Sequence, residues 1–490
     1  MKAQTALPCK PKLPLTGVIE LTYRCNHKCL YCSCPWENDV DGYPVYEKGS
    51  ELDLSGWKKA LDILEANGVQ NISISGGEAL LKPELSQIIE YIRERNVFNR
   101  DRYLVVISNG LAMNEEFLSL FKKNNVHLSL SLPGINTFEK LTGVDNTLGV
   151  LHWLKRSSQE GVHTTVNITV TNINYHELYQ TISYAFIAGA DTLLLNRFLT
   201  GGRGIRYQNE LQLTHEQING MLDTAEDVLK KARRWGSTGT EIPFCVVKKY
   251  THQYERLRIG FLCAAAKSFF VVDPCGSIRA CNHSPRKVGH IFNEKLIEDI
   301  DYWNIFSGRG YIPDLCSHCT DISICDCGCR EAANINSGSV NGIDPCLKGY
   351  EKEMSERVET LDYTYDNDFD RKFDDDFREL FTKRLKEDED FGRELWSAMA
   401  NVTWHHEDDP DYYGYSRSFR GAGSLIAVME GKDNYTKWYC SGPYETVSGY
   451  IAEKMASKGW RHLQRSKQVV TMKTFIKGKE TSADGEFTGE

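Results

Sequence analysis

The chain has 490 residues, 41% apolar and 26% charged, which is enough for a large core and for more than one domain. Against 58 basic side chains stand 67 acidic ones, a formal charge of -9 that argues against the broad basic footprint of a nucleic-acid binder or of a protein held on anionic lipid. No apolar run approaches the roughly 20 residues that cross a bilayer, and residues 1–16 lack the apolar stretch of a secretory signal. The expectation is a cytoplasmic protein with neither nucleic acid nor membrane as partner, and its 16 cysteines, being clustered, point to metal or catalysis.

From Gly17 onward short apolar runs alternate with amphipathic segments. The runs are Val18 to Thr22, Asn71 to Ser75, Tyr103 to Ser108, His127 to Ser131, His163 to Val170 and Asp191 to Asn196. The segments around Leu54 to Asn67, Pro83 to Arg95, Glu115 to Lys123, Gly149 to Gln159 and Tyr175 to Ala188 carry apolar residues at helical spacing. This alternation predicts βαβ units in a parallel sheet, with a ligand site beyond the carboxyl ends of the strands. Those ends are polar: Ser108 and Asn109, Ser129 and Ser131, Asn167, and Asn196 with Arg197. A glycine-rich TGGRG (200–204) closes the region, and Leu213 to Arg233 reads as a further helix.

Directly after the first strand, CNHKCLYC sets Cys25, Cys29 and Cys32 in a CxxxCxxC loop. Three thiolates on one short loop hold three corners of a cubic [4Fe-4S] cluster and leave the fourth iron open. A structural zinc site needs a fourth protein ligand, for which Cys34 or His27 is at hand, so zinc stays a competing reading. The second strand runs into SGGEAL. In loop and motif together, Gly17 to Arg203 resembles the radical S-adenosylmethionine (SAM) superfamily. The resemblance implies a partial (β/α)6 TIM-like barrel, an open iron chelated by SAM, and a 5′-deoxyadenosyl radical that abstracts hydrogen from an unactivated C–H bond. It also implies that Gly76, Gly77 and Glu78 meet the methionine amino group and that Tyr31 packs on adenine. Ala79 replaces the usual proline of that motif. Ser108, Asn109, Ser129, Ser131, Asn167 and Arg197 are the remaining candidates for cofactor contacts.

Ten cysteines lie between Cys245 and Cys346, a span that reads as organised by metal more than by an apolar core. Cys263 is followed by Gly276 and Cys281, then Cys316, Cys319, Cys325, Cys329 and Cys346, a spacing that resembles the SPASM domain. Two auxiliary [4Fe-4S] clusters are implied. One would use Cys263, Cys281, Cys329 and a fourth ligand, the other Cys316, Cys319, Cys325 and Cys346. SFFVVDPCGSIRAC reads as a hairpin with Cys275 at its tip, so Cys245 is favoured over Cys275 as that fourth ligand, with an open iron as the remaining option. Cys327 is a leftover cysteine read as a small buried hydrophobe, with an outward turn between its ligating neighbours as the alternative.

The resulting division is an N-terminal segment (1–16), the barrel (17–240), the iron-sulfur domain (241–350), an acidic linker (351–390) with sixteen acids against eight bases, a small α+β domain (391–467) and a flexible tail (468–490). The α/β class with these two additions, three clusters and SAM leads to a peptide maturase: a precursor peptide or protein as substrate, an oxidative crosslink or related two-electron change as product, and flavodoxin or ferredoxin as reductant. Sulfatase-maturing relatives carry an aspartate after the cysteine that is Cys281 here; Asn282 replaces it, leaving His283 or Asp273 as the base. Only sixteen residues precede the barrel, so leader recognition is expected to use the C-terminal extension, the barrel or a separate peptide-recognition protein. A radical SAM enzyme acting on a small molecule and a zinc-structured binding protein are the rival readings.

Overall fold

The computed structural model describes residues 13–95, 103–248, 254–308, 310–317, 319, 322 and 325–348, together with strand residues 429–430, 435–437, 464–466, 471–476 and 479–481. Six parallel strands form the barrel wall: β1 (Thr16–Glu20), β2 (Asn71–Ser75), β3 (Leu104–Ser108), β4 (His127–Ser131), β5 (Thr164–Val170) and β6 (Thr192–Arg197). Between them run α1 (Leu54–Ala66), α2 (Leu85–Glu94), α3 (Glu115–Lys123), α4 (Phe138–Thr142), α5 (Thr147–Glu160) and α6 (Leu178–Ile187). Helix α1 shows why the periodicity was legible. Asp53 caps it by accepting from Gly56 N at 2.7 Å, and Trp57, Ala60, Leu61 and Leu64 form one buried stripe. After β6 come α7 (Gln208–Leu211) and α8 (His215–Ala232), the latter started by a capping box of Thr214 and Gln217.

The sheet does not stop at six strands. β7 (Trp235–Thr238) and β8 (Leu257–Arg258) extend it beyond β6. On the opposite edge β9 (Phe269–Val272) pairs parallel with β1, and β10 (Ser277–Arg279) and β11 (Gly289–His290) follow antiparallel. The order is β11-β10-β9-β1-β2-β3-β4-β5-β6-β7-β8. The expected boundary near residue 240 is therefore not a boundary of the sheet or of the core. Phe270, Val272, Ile278, Cys263 and Cys281 belong to the same apolar cluster as Ile19 and Ile74. The reason lies in FFVV, which is apolar on both faces and can be buried on both only inside a sheet. Helices α9 (Ile300–Ser307) and α10 (Arg330–Ser337) complete this part.

The hairpin turn falls where expected, with Gly276 in the left-handed region at φ +93°. Further on, β12 (Met429–Glu430), β13 (Tyr435–Lys437), β14 (Gln464–Ser466), β15 (Thr471–Ile476) and β16 (Lys479–Thr481) form a second, antiparallel sheet. The tail expected to fray after 468 instead supplies β15 and β16; TMKTFI is rich in residues suited to a pleated strand. The acidic linker and the helix expected at 445–458 lie outside the described residues. Among those described, no helix is long and apolar enough to cross a membrane.

His127, at the start of β4, is buried between the Tyr103 hydroxyl (2.9 Å from Nδ1) and the Thr165 hydroxyl (2.6 Å from Nε2). Burial, then the neighbouring His163, holds its pKa well below the ordinary 6.5. Below pH 6.5 the unfolded chain takes up a proton that the folded one refuses, so this contribution is complete above 6.5 and is lost on acidification. Thermal or urea unfolding between pH 7.5 and 5 should show wild type losing stability more steeply than His127→Asn, the difference approaching about 1.4 kcal/mol per pH unit. Equal slopes would remove His127 from the account.

Candidate functional site

The cysteine loop leaves the carboxyl end of β1 and is held on both flanks by backbone. On the β2 side, Gly77 N donates to Thr22 O and Glu78 N to Arg24 O, both at 2.8 Å. Approach this close requires the two glycines: Gly76 has φ +141°, and a Cβ on Gly77 would run into the Arg24 carbonyl. Glu78 is buried, and its carboxylate accepts from Leu80 N (3.0 Å), Ser108 Oγ (2.9 Å) and Asn109 N (2.8 Å). Asn109 in turn donates to Asn26 Oδ1 at 2.7 Å and reaches Cys25 Sγ at 3.9 Å. Glu78, Ser108 and Asn109 thus tie the ends of β2 and β3 to the first cysteine. Desolvation raises the Glu78 carboxyl above its ordinary value, and the three donors counter it.

On the other flank, Lys28 N and Leu30 N donate to Thr142 O and Leu141 O at 2.8 Å. Gly204 N donates to Cys32 O at 3.1 Å, and Arg203 donates to Cys29 O at 3.2 Å while pairing with Glu37. Gly202, at φ +49°, lies so close to the carbonyls of Cys32 and Cys34 that a Cβ would collide with both. Residues 202–204 are therefore part of the site. Nothing in the chemistry of glycine or arginine alone marked them, although the density of glycine in TGGRG was the available signal.

Cys25 is exposed, and Cys29 and Cys32 are half-buried. Burial, then the thiols of Cys32 and Cys25, drive the Cys29 thiol well above its ordinary pKa. The neighbouring Cys34 depresses the Cys32 thiol, while Cys34 itself is raised. Three adjoining thiols, two of them held above their ordinary range, suit a cationic iron cluster, which would ionise all of them. His27 is buried edge-on to Phe138, and desolvation lowers its pKa to about 4. Among the described residues no group of three or more His, Cys, Asp or Glu side chains is placed to hold a metal ion. Tyr31 packs its ring against Leu141, Phe198 and Leu211, with its hydroxyl toward Cys29. Ser129 Oγ is buried without a hydrogen-bond partner, an orphan that suits a polar ligand at the strand ends. Ser131 is paired in register with Asn167, whose Oδ1 accepts from Asn196 at 2.7 Å.

Residues 19–185 match the model of the Radical SAM superfamily. Over that stretch, which holds both the cysteine loop and the SGGEAL motif, the chain is similar to radical SAM enzymes. It is 25% identical over 348 residues to a PqqA peptide cyclase of Xanthomonas campestris pv. campestris, covering 68% of this chain and 86% of that one. Its fold is similar to that of Streptococcus suis SuiB bound to the precursor peptide SuiA (16% identity, TM-score 0.52, 69% of this chain and 76% of that one). It is also similar to anSMEcpe with bound AdoMet (16% identity, TM-score 0.54, 71% of this chain and 99% of that one).

Behind the radical SAM loop, the later cysteines fall into two sets. Cys263, Cys281 and Cys329 influence one another's ionisation, and all three are raised, mainly by burial. The second set lines a cavity: Cys245, Cys316, Cys319, Cys325 and Cys327. Cys346 lies near Cys245. One placement differs from expectation. Cys245 sits with the second set, because the short turn Phe244–Val246 lies against Cys325, whose sulfur accepts Phe244 N at 3.4 Å. Cys327 is buried, as expected of a leftover cysteine, with its backbone N–H donating to Cys325 Sγ at 3.3 Å and its φ of +61° in the left-handed region.

Arg197 is also placed differently. Its Nη2 pairs with Asp344 at 2.5 Å and its Nε donates to Glu241 O at 2.9 Å. Asp344 accepts from Cys329 N (2.6 Å) and Cys346 N (2.9 Å), one cysteine from each expected cluster. The guanidinium of β6 thus anchors the downstream cysteines, while its Nη1 is buried with no partner. Asp273 shapes the hairpin turn, accepting from Cys275 N (3.1 Å), Ser277 N (2.7 Å) and the Tyr46 hydroxyl (2.5 Å). His283 follows Cys281; burial, then Arg279 and Arg197, lower its pKa to about 4, so its imidazole is neutral at physiological pH.

Two substitutions test these clamps. Gly77→Ala should separate the loop from the second motif and destabilise the fold by roughly 1–3 kcal/mol, seen as a lower Tm and loss of SAM binding. Asp344→Ala leaves Arg197 buried and uncompensated, at a cost of roughly 3–5 kcal/mol, and should lower iron bound downstream of residue 245 while sparing the first loop. Unchanged iron in that variant would show that the pair does not hold these cysteines.

Proposed function

We propose that the chain is a peptide maturase in which Cys25, Cys29 and Cys32 hold a [4Fe-4S] cluster with S-adenosylmethionine on its open iron. The observation that carries this reading is the loop itself: three thiols on one short loop, fixed by backbone bonds from the end of β2, α4 and residues 202–204 at the carboxyl ends of the strands. When bound, cluster and cofactor supply a 5′-deoxyadenosyl radical that takes a hydrogen atom from substrate. The chain's own residues position and exclude. Gly76 and Gly77 leave their backbone accessible beside the loop; Ser129, Ser131 and Asn167 offer polar atoms at the strand ends; Tyr31 closes one side.

The region from Cys245 to Cys346 is read as a SPASM domain with two auxiliary clusters, one on Cys263, Cys281 and Cys329 and the other on Cys316, Cys319, Cys325 and Cys346. The buried, unpartnered Nη1 of Arg197, close to Cys329 and Cys346, suits the negative charge that such clusters carry. A peptide substrate is supported by the relatives, whose names specify PqqA peptide and the precursor peptide SuiA. Of the two expected bases, Asp273 is already held by the hairpin turn and the Tyr46 hydroxyl, so His283 is the one available to accept a proton. Flavodoxin or ferredoxin is the proposed reductant.

Cys29→Ala tests the assignment. The variant should form no 5′-deoxyadenosine from SAM under dithionite, while keeping about eight of the twelve irons expected for three four-iron clusters. Normal SAM cleavage in that variant would overturn the proposal.

A further inference from the structure

At the tip of the hairpin between β9 and β10 the half-buried Cys275 is surrounded by polar and charged groups. Its thiol donates to Asp273 Oδ1 at 3.2 Å, lies 3.3 Å from the Ser277 hydroxyl, and accepts from Lys287 Nζ at 3.8 Å. Lys287, its side chain 31% exposed, also donates to Glu47 O at 2.7 Å, stands 3.7 Å from Asp273 Oδ2, and lies over the Tyr46 ring at 4.8 Å from its centre. It thereby pins the segment ahead of α1 to the hairpin, where Leu52 N donates to Pro274 O at 2.8 Å. That segment passes directly over the sulfur: a Cβ on Gly49 would sit 2.9 Å from Cys275 Sγ. The Tyr23 hydroxyl is buried without a hydrogen-bond partner, on the side of Gly49 and Cys275. A cation bonded to a sulfur favours the thiolate, the form that reacts with peroxides. Oxygen added to that sulfur would give the Tyr23 hydroxyl the acceptor it lacks.

We propose that Cys275 and Lys287 are a peroxide-reactive pair that closes into a reversible sulfur-nitrogen crosslink. The thiol proton leaves to solvent and the thiolate attacks hydrogen peroxide: an S–O bond forms, the O–O bond breaks, and the departing hydroxide takes up a proton as water. Sulfur loses two electrons and peroxide gains them. The Lys287 amine, once deprotonated, attacks the sulfenic sulfur: an S–N bond forms, the S–O bond breaks, and the hydroxyl leaves as water with a hydrogen from nitrogen. A thiol reductant reverses the link. The linked nitrogen is uncharged and drawn away from Glu47 O, so the segment ahead of α1 loses one of its pins. Neither step draws on iron or on a cluster.

The test treats the anaerobically purified full chain with excess hydrogen peroxide and follows its tryptic peptides by mass spectrometry. The peptide ending at Arg279 should appear joined to the one containing Lys287, lighter by two hydrogens than the separate pair, and dithiothreitol should release both. Lys287→Arg keeps the cation but lacks the nucleophilic amine, so it should form no link and should instead give a strong dimedone adduct at Cys275, which the wild type gives only weakly. Cys275→Ser should give neither product. Hydrogen exchange at backbone amides 45–50 should quicken in the oxidised wild type and stay unchanged in oxidised Cys275→Ser. The pair is overturned by a Cys275 thiol that survives peroxide, by equal dimedone adducts in wild type and Lys287→Arg, or by a link that retains oxygen. A thiol that resists peroxide only in the iron-loaded chain would overturn it in favour of a ligand role for Cys275. Unchanged exchange at 45–50 in the linked protein would overturn the loss of the pin.

Discussion

A buried thiol resists ionisation, and several buried thiols side by side resist it together. Everything at the functional end of this chain is arranged around that constraint. The side chains of Cys29, Cys263, Cys281, Cys329 and Cys346 are all held above the ordinary thiol range, chiefly by burial. The fold therefore positions these residues through their backbones. Cys29 and Cys32 are held by their carbonyls, Cys263, Cys329 and Cys346 by their amides, and the Cys25 sulfur accepts from His27 N at 3.4 Å.

Strand β1 joins the two cysteine regions. It launches the first loop, and it also pairs parallel with β9, whose hairpin leads to Cys281. Three buried ion pairs reinforce the connection: Glu20 with Arg279 between β1 and β10, Arg197 with Asp344, and Lys267 with Asp326. Replacing such a pair with apolar groups is often neutral, whereas removing one member is costly. Their value here is specificity of placement: each fixes a backbone segment that carries a cysteine or the base of the barrel mouth. Burial raises the Glu20 carboxyl to about 7 despite the opposing pull of Arg279, which shows how dry this junction is.

Much of the barrel was legible because both signals it uses are local. The β-runs at Asn71 and His127 coincide with the strands to the residue, and the helices at Leu54 and Glu115 start where Asp53 and Asn114 cap them. The long-range facts were not legible. Nothing in FFVV says that its partner is TGVIE, more than two hundred residues earlier, so the downstream region read as a separate domain. Arg197 was a polar residue at a strand end like its neighbours; its partner Asp344 could be found only once the fold brought them together. Cys245 was misplaced for the same reason, since spacing orders cysteines along the chain but does not say which cavity a turn faces. The motif glycines were legible as glycines, yet their use in docking the loop against Arg24 O and Cys32 O is a packing fact.

The same separation of local from long-range information bears on the base. Asn282 after Cys281 removes the residue by which sulfatase maturation was judged from sequence, and Asp273 remained as a nearby carboxylate. The structure gives Asp273 to the hairpin turn, where both oxygens accept hydrogen bonds in a buried setting. Recruiting it as a base would break the turn that presents β10. His283 carries no such structural duty in its ring, stays neutral through the physiological range, and lies between Arg279 and Arg197, where a protonated imidazole would be disfavoured.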